Sequence, residues 1–140
     1  MEKIEVPHGA VVVGVDGSPA SDRAVVWAAR QAALEGRPVA LVHGASPTVA
    51  TTWMGAPAFN PATLLQALED SGRAQLEAAG AVVHEREPGV AVYRVFDHRD
   101  PRDALLAHAA SASMVVVGSR GRGPMASLIL GSGGRAVAQP

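Results

Sequence analysis

Short apolar runs rich in valine alternate with longer helical segments along this chain of 140 residues. The pattern predicts strands at Ala10–Val15, Pro38–His43, Val90–Phe96 and Met114–Gly118. Strands that alternate with helices are joined by right-handed crossovers, which make neighbouring strands parallel. The order therefore predicts an α/β fold, with an open parallel sheet and helices on both faces.

Each of the three predicted helices opens with a capping residue followed by proline, which is a strong helix-start signal. The helices are Pro19–Glu35, Pro61 to about Arg86 and Pro101 to about Ala110, with Ser18, Asn60 and Asp100 as the capping residues. The second carries an apolar stripe spaced 3 or 4 residues apart, made of Leu65, Leu68, Gly72, Leu76, Ala79 and Val83. The segment 44–60, between the second strand and this helix, is expected to be a mobile loop.

Composition narrows the class of function. The apolar share of 48% and the length suit one domain, and a net charge of −1 argues against nucleic acid or an anionic membrane as partner. The absence of cysteine excludes disulfides, thiol catalysis and cysteine-ligated metals, and the histidines lack the spacing of metal ligands. No signal peptide and no apolar stretch of membrane-spanning length is present, so we expect a cytoplasmic protein.

A glycine loop follows the last predicted strand. Gly118 and Gly121 are separated by two residues, and Gly131-Ser132 follows nine residues further on. Glycine lets the backbone approach a ligand and point its N–H groups inward, and open α/β sheets bind ligands at the carboxyl ends of their strands. The loop is typical of a phosphate cradle, although a plain strand–turn–helix connection remains the alternative.

Polar residues near the other predicted strand ends complete the candidate site. Asp16 follows the first strand and can accept a ribose hydroxyl, close a turn, or do both. Arg120 and Arg122 flank the glycine loop and can neutralise phosphate or remain solvated. His43 ends the second strand, where a packed or hydrogen-bonded structural role is favoured. The chain has no P-loop, no GxGxxG after the first strand and no GxSxG, and nothing in it is typical of an activated nucleophile.

Three segments of this sequence resemble the universal stress protein family: VVVGVDGSPAS, ALVHG and VVVGSRGRG followed by LILGS. The family hallmark Gly-2x-Gly-9x-Gly-(Ser/Thr) is met by Gly118, Gly121, Gly131 and Ser132. The resemblance covers about residues 8 to 138. It implies a Rossmann-like sheet of strand order 3-2-1-4-5 and a stress-response regulator that binds ATP, with Mg²⁺ held through the phosphates and at most slow hydrolysis or autophosphorylation.

Carried over to this sequence, the resemblance implies that Val15 and Gly44 border the adenine and that Asp16 binds the ribose. The other implied nucleotide-binding residues are Gly118, Ser119, Gly121, Arg122, Gly131, Ser132 and Gly133. Gly44 departs from the family pattern, because a valine usually packs on the base there. The resemblance also implies a possible homodimer or tandem-domain partner.

The end of the sequence departs from the family as well. Eight residues follow Gly131-Ser132, and we expect that they can form a short helix but not a fifth strand. The expected sheet therefore has the order 3-2-1-4 with its fifth strand missing, which leaves the fourth strand as an edge. The resemblance therefore implies that residues 1–140 form a single universal stress protein domain, either truncated at its C-terminus or the first part of a tandem protein.

Three other functions stay open at this point. A universal stress protein that has lost nucleotide binding would act through protein contacts alone. A phospho-receiver domain is suggested by Asp16, Asp97 and Ser119, each near a strand end, although the usual acidic pair is a single aspartate here. An adenylating enzyme of related fold should carry a Ser-Gly-Gly loop after its first strand, which Gly17-Ser18-Pro19 does not supply.

Overall fold

A computed structural model describes residues 6–46, 61–118 and 135–139. Its strands are β1 (Val11–Gly14), β2 (Val39–Gly44), β3 (Val92–Asp97), β4 (Met114–Gly118) and β5 (Arg135–Gln139). Its helices in these ranges are α1 (Pro19–Glu35), α2 (Pro61–Arg86) and α3 (Pro101–Ala109). The predicted helices are confirmed to within one residue at their ends, and β4 has the bounds that the sequence predicts.

The five strands form one parallel sheet of order β3-β2-β1-β4-β5. The central strand β1 pairs with β2 from Val11 opposite Val39, and with β4 from Val11 opposite Met114. The predicted parallel sheet and its order 3-2-1-4 are therefore confirmed. The chain adds strands on one side of β1 and then on the other, so the topological switch point lies between β1 and β4.

The prediction of a missing fifth strand is wrong. Strand β5 pairs with β4 from Met114 opposite Arg135 to Gly118 opposite Gln139, so β4 lies inside the sheet. A parallel crossover needs about a dozen residues, and residues 119–134 meet that need before β5 begins. We expected the eight residues after Ser132 to be too few for a strand, whereas five of them, Arg135–Gln139, form one.

Helix α1 forms where its capping signals place it. The Ser18 hydroxyl accepts a hydrogen bond from the Ser21 N–H at 3.1 Å, and Pro19 begins the helix with a fixed φ. Gly36 ends the helix in the left-handed region at φ +67°, which favours glycine. The apolar face of α1, rich in alanine, packs against the sheet.

Side chains that alternate along β1 separate two cores. Val11 and Val13 pack with α1 and α2 on one face of the sheet, whereas Val12 packs with α3 on the other. The stripe predicted on α2 is buried at Gly72, Leu76, Ala79 and Val83 and half-buried at Leu65 and Leu68. The prediction of helices on both faces is confirmed.

Glycines bring α2 close to the sheet edge. A Cβ atom on Gly72 would lie 2.4 Å from the Phe96 ring and 2.6 Å from the His43 ring. A Cβ atom on Gly80 would meet the Arg94 guanidinium, whose Nε lies 3.6 Å from the Glu77 carboxylate. Gly80 lowers helix propensity by about 1 kcal/mol relative to alanine. Because it has no side chain, the helix can lie directly against Arg94.

Gly118 sets the distance between β4 and the start of α1. A Cβ atom on Gly118 would lie 2.6 Å from the backbone carbonyl carbon of Ala20 and 2.7 Å from its Cβ atom. Backbone atoms in the first turn of a packed helix cannot move aside as a flexible side chain can. Gly118 is thus needed for packing, whatever its part in binding.

We predict that Gly118→Ala lowers the free energy of unfolding by about 1–3 kcal/mol, because the added methyl group overpacks the β4–α1 contact. Gly89→Ala is the matched control, since nothing lies within 4 Å of a Cβ atom at Gly89. Urea denaturation of both variants measures the difference. Equal stability of the two variants would show that the close approach of β4 and α1 is wrong.

Candidate functional site

The carboxyl ends of β1 and β4 meet at the switch point of the sheet. Asp16 lies two residues beyond β1, and Gly118 is the last residue of β4. Strand pairing is observed from Val11 opposite Met114 to Val13 opposite Val116, and the same offset continued places Val15 opposite Gly118. The sequence predicted that these two strand ends are neighbours, and the sheet confirms it.

Asp16 lies in a turn that is fixed by hydrogen bonds. Its Oδ1 accepts from the Ser18 N–H at 2.9 Å, and its own N–H donates to the Ser21 hydroxyl at 3.2 Å. The turn-closing role considered for Asp16 is therefore present, while Ser18 caps the helix. Within the described ranges no hydrogen bond is formed to Oδ2, the other oxygen of this half-buried carboxylate.

Ser21 is a residue of this site that the sequence analysis missed. It is 2% exposed, and its hydroxyl donates to the Gly14 carbonyl at 3.3 Å while it accepts from the Asp16 N–H. A small polar residue in register with the apolar face of α1 was the signal that could have identified it.

His43 is packed and hydrogen-bonded, as predicted for a histidine at a strand end. Its Nδ1 lies 2.8 Å from the Val15 carbonyl oxygen. A carbonyl can only accept, so Nδ1 carries the proton and donates. The imidazole stacks on Phe96 with 5.6 Å between the ring centroids, and the Arg73 guanidinium carbon lies 5.6 Å from the Phe96 centroid. Burial lowers the pKa of His43 below its ordinary value of 6.5 and outweighs the raising effects of the Val15 bond and of the Asp16 charge.

Val15 and Gly44, the residues expected to border the adenine, face opposite sides of the sheet. The Val15 side chain is 2% exposed and joins the core beneath α1 and α2. A Cβ atom on Gly44 would lie 2.8 Å from Pro101 Cα and 2.9 Å from Ala104 Cβ, both in α3. A side chain at position 44 would therefore compete with α3 for space, and only the backbone of Gly44 reaches the carboxyl edge.

Asp97, the acidic residue that suggested a phospho-receiver, is engaged by its neighbour. Arg99 donates to it through Nη2 at 2.6 Å and Nε at 2.8 Å. These bonds from the arginine lower the pKa of Asp97 below its ordinary value, against the raising effect of burial. Strand β2 also lies between β1 and β3, which separates Asp97 from Asp16. Receiver domains place their first and third strands side by side, so this order argues against that function.

The remaining residues of the predicted phosphate site lie outside the described ranges. They are Ser119, Gly121, Arg122, Gly131, Ser132 and Gly133, together with the flanking Arg120. Their roles stay predictions. Within the described part of the chain, no helix combines the length and hydropathy needed to cross a bilayer, and no three His, Asp or Glu side chains are grouped as metal ligands.

We predict that His43 makes stability depend on pH. Because burial lowers the pKa of His43 in the folded protein, this source of stability is fully present above pH 6.5 and is lost as pH falls through the lowered pKa. One proton contributes a slope of at most about 1.4 kcal/mol per pH unit. The free energy of unfolding of wild type relative to His43→Asn, from urea titrations at pH 5.0 to 7.5, should fall toward acid. Parallel curves for the two proteins would contradict the burial of His43.

Comparison with known sequences identifies the family. The family model for universal stress proteins matches residues 8–139. A universal stress protein of Mycolicibacterium smegmatis is 38% identical over 125 residues, which are 87% of this chain and 42% of that protein. One of Mycobacterium tuberculosis is 36% identical over 137 residues, which are 96% of this chain and 44% of that protein. The chain thus spans less than half the length of these curated relatives.

Solved structures of universal stress proteins share the architecture of this chain. A universal stress protein in complex with cAMP superposes with a TM-score of 0.64 at 24% identity, over 94% of this chain and 95% of that one. The universal stress protein of Archaeoglobus fulgidus in complex with dAMP gives a TM-score of 0.69 at 22% identity, over 95% and 98% of the two chains. At these identities the likeness concerns the fold, and the match to the family model over nearly the whole sequence establishes membership. The chain belongs to the universal stress protein family.

Proposed function

We propose that this chain binds an adenine nucleotide, ATP, at the crevice between the carboxyl ends of β1 and β4. In this proposal it acts as a stress-response regulator that holds the nucleotide and hydrolyses it slowly or not at all. The observation that carries the proposal is the Asp16 carboxylate, which is half-buried, oriented through Oδ1, and free at Oδ2 among the described residues.

The chemistry of this edge fits a nucleoside. A carboxylate oxygen at the end of the first strand accepts hydrogen bonds from ribose hydroxyls in dinucleotide sites of related topology. The N-terminus of α1 opens beside Asp16, and helix N-termini favour phosphate through their partial positive charge. The glycine motif that begins at Gly118 supplies the predicted phosphate loop, and Mg²⁺ would enter with the phosphates.

The related structures support the class of ligand. One universal stress protein was solved with cAMP and another with dAMP, both of which are adenine nucleotides. ATP is our choice among adenine nucleotides because Gly118, Gly121, Gly131 and Ser132 meet the glycine motif on which ATP-binding members of the family hold the phosphates.

The described ionisable groups at this edge favour holding over hydrolysis. Asp97 is held by Arg99, and strand β2 separates it from the end of β1. It therefore lies away from the proposed crevice between β1 and β4, whereas general base catalysis requires hydrogen-bond reach to the reacting group.

A second candidate function is a protein-interaction module without nucleotide. It is favoured by Gly44, where the close contact with Pro101 leaves no room for a side chain that would pack on the base. The predicted homodimer or tandem-domain contact would then carry the function. The binding experiment below separates the two candidates.

We predict that ATP with Mg²⁺ binds the wild-type protein better than millimolar and that Asp16→Asn weakens binding about tenfold or more. The substitution removes the charged acceptor for the ribose, and hydrogen bonds to charged groups contribute about 1.5–3 kcal/mol. Isothermal titration calorimetry measures both affinities.

Asp70→Asn, which alters an exposed acid of α2 bonded to Gln66, should bind ATP like wild type. A folded wild-type protein without measurable ATP affinity would overturn the proposal and leave the interaction module. Unchanged binding in Asp16→Asn would instead show that the ribose lies elsewhere.

A further inference from the structure

The peptide group that joins Val15 to Asp16 is hydrogen-bonded at both ends by side chains. Its carbonyl oxygen accepts from His43 Nδ1 at 2.8 Å. Its N–H, which belongs to Asp16, donates to the Ser21 hydroxyl at 3.2 Å. A peptide group is planar, so a bond at each end fixes the orientation of the whole plane and the direction in which the Asp16 side chain leaves the backbone.

His43 continues the sheet ladder by one bond where the backbone ladder stops. The Val15 N–H still donates to the Val42 carbonyl at 2.9 Å, as a strand residue would. The carbonyl of the same residue accepts a hydrogen bond from the His43 imidazole, where the next bond of the ladder would come from a backbone N–H. The chain can therefore turn away from the sheet at Asp16 without leaving this carbonyl unpaired.

The imidazole is itself held on several sides. Phe96 of β3 stacks on it with the rings 27° apart, and Gly72 of α2 approaches its Cδ2 so closely that a Cβ atom there would lie at 2.6 Å. Arg73, which follows Gly72, lies against the other ring of the stack. A ring confined in this way keeps its Nδ1 aimed at one carbonyl.

We propose that His43 and Ser21 are positioning residues that orient the Asp16 carboxylate toward the ribose hydroxyls of the bound nucleotide. The inference rests on the proposed function, and it adds a role for two residues outside the Gly-2x-Gly-9x-Gly-(Ser/Thr) motif. His43 acts through the Val15 carbonyl and Ser21 through the Asp16 N–H, so neither needs to touch the nucleotide.

If His43 and Ser21 act by orienting Asp16, their loss should affect nucleotides with and without ribose hydroxyls differently. A purely structural role would affect both alike. Loss of the His43 hydrogen bond should weaken only the part of the affinity that comes from the ribose hydroxyls. We compare ATP with 2′,3′-dideoxy-ATP, which lacks those hydroxyls, by calorimetry on wild type, His43→Leu, His43→Asn and Ser21→Ala.

We expect His43→Leu and Ser21→Ala to lower ATP affinity about tenfold, because a carboxylate that is no longer oriented loses its charged hydrogen bonds to the ribose hydroxyls. Their affinity for dideoxy-ATP should stay within about twofold of wild type, since that ligand makes no use of the Asp16 carboxylate in this account. His43→Asn should restore most of the ATP affinity, because its side-chain N–H is attached at the same position as His43 Nδ1. His84→Leu, at an exposed histidine of α2, is the matched control and should bind both ligands like wild type.

Each outcome decides one of the two ideas. Equal losses for ATP and dideoxy-ATP, or no loss for either, overturn the positioning role while the proposed function stands. No ATP affinity in wild type overturns the proposed function and the positioning role with it. If His43→Leu fails to fold, Ser21→Ala carries the same comparison from the other end of the peptide group, and unchanged ATP binding in that variant contradicts the inference.

Discussion

The pairing of β1 with strands on both of its sides is the constraint on which the rest of the structure depends. Val11, Val12 and Val13 have no exposed surface, because β2 and β4 flank the strand and helices cover its two faces. The chain leaves the sheet between these neighbours at Asp16. The same pairing that buries the core therefore places a carboxylate at the switch point, where open α/β sheets bind their ligands.

Small residues allow this arrangement in a chain with only 4% aromatic residues. Alanines line the buried face of α1, and glycines stand where helices come nearest to the sheet. Gly118 brings β4 against the first turn of α1, and Gly72 brings α2 onto His43. Packing and site geometry are thus set by the same contacts. Asp16 is held by two hydrogen bonds, from the Ser18 N–H to its Oδ1 and from its own N–H to the Ser21 hydroxyl.

Local signals predicted most of the fold. Ser18 with Pro19 and Gly36 marked the ends of α1, and the valine run before Gly118 marked β4, because capping and chain breaks depend on neighbouring residues. Strand β5 was missed since Arg135–Gln139 becomes a strand only through its pairing with β4. No local pattern in the tail shows that pairing.

The part of the site that depends on local signals could be predicted, and the part that depends on long-range contacts could not. Asp16 stood out because it follows a strand, whereas the His43 bond to Val15 joins residues 28 positions apart and depends on strand register. Ser21 lies within an apolar helix face, and the lack of room for a side chain at position 44 follows only from the position of α3. Contacts set by the register of the sheet and the packing of its helices cannot be read from the sequence one segment at a time.

An amide NMR titration shows whether an adenine nucleotide binds at the carboxyl edge between β1 and β4. ATP with Mg²⁺ is added to the ¹⁵N-labelled protein, and the shift of each backbone amide is followed to saturation. We expect the largest shifts at Asp16, Gly17, Ser18 and Gly118, with little change at Gly9, Gly36 and Gly89 on the opposite edge. No saturable shifts, or shifts confined to the opposite edge, would contradict it.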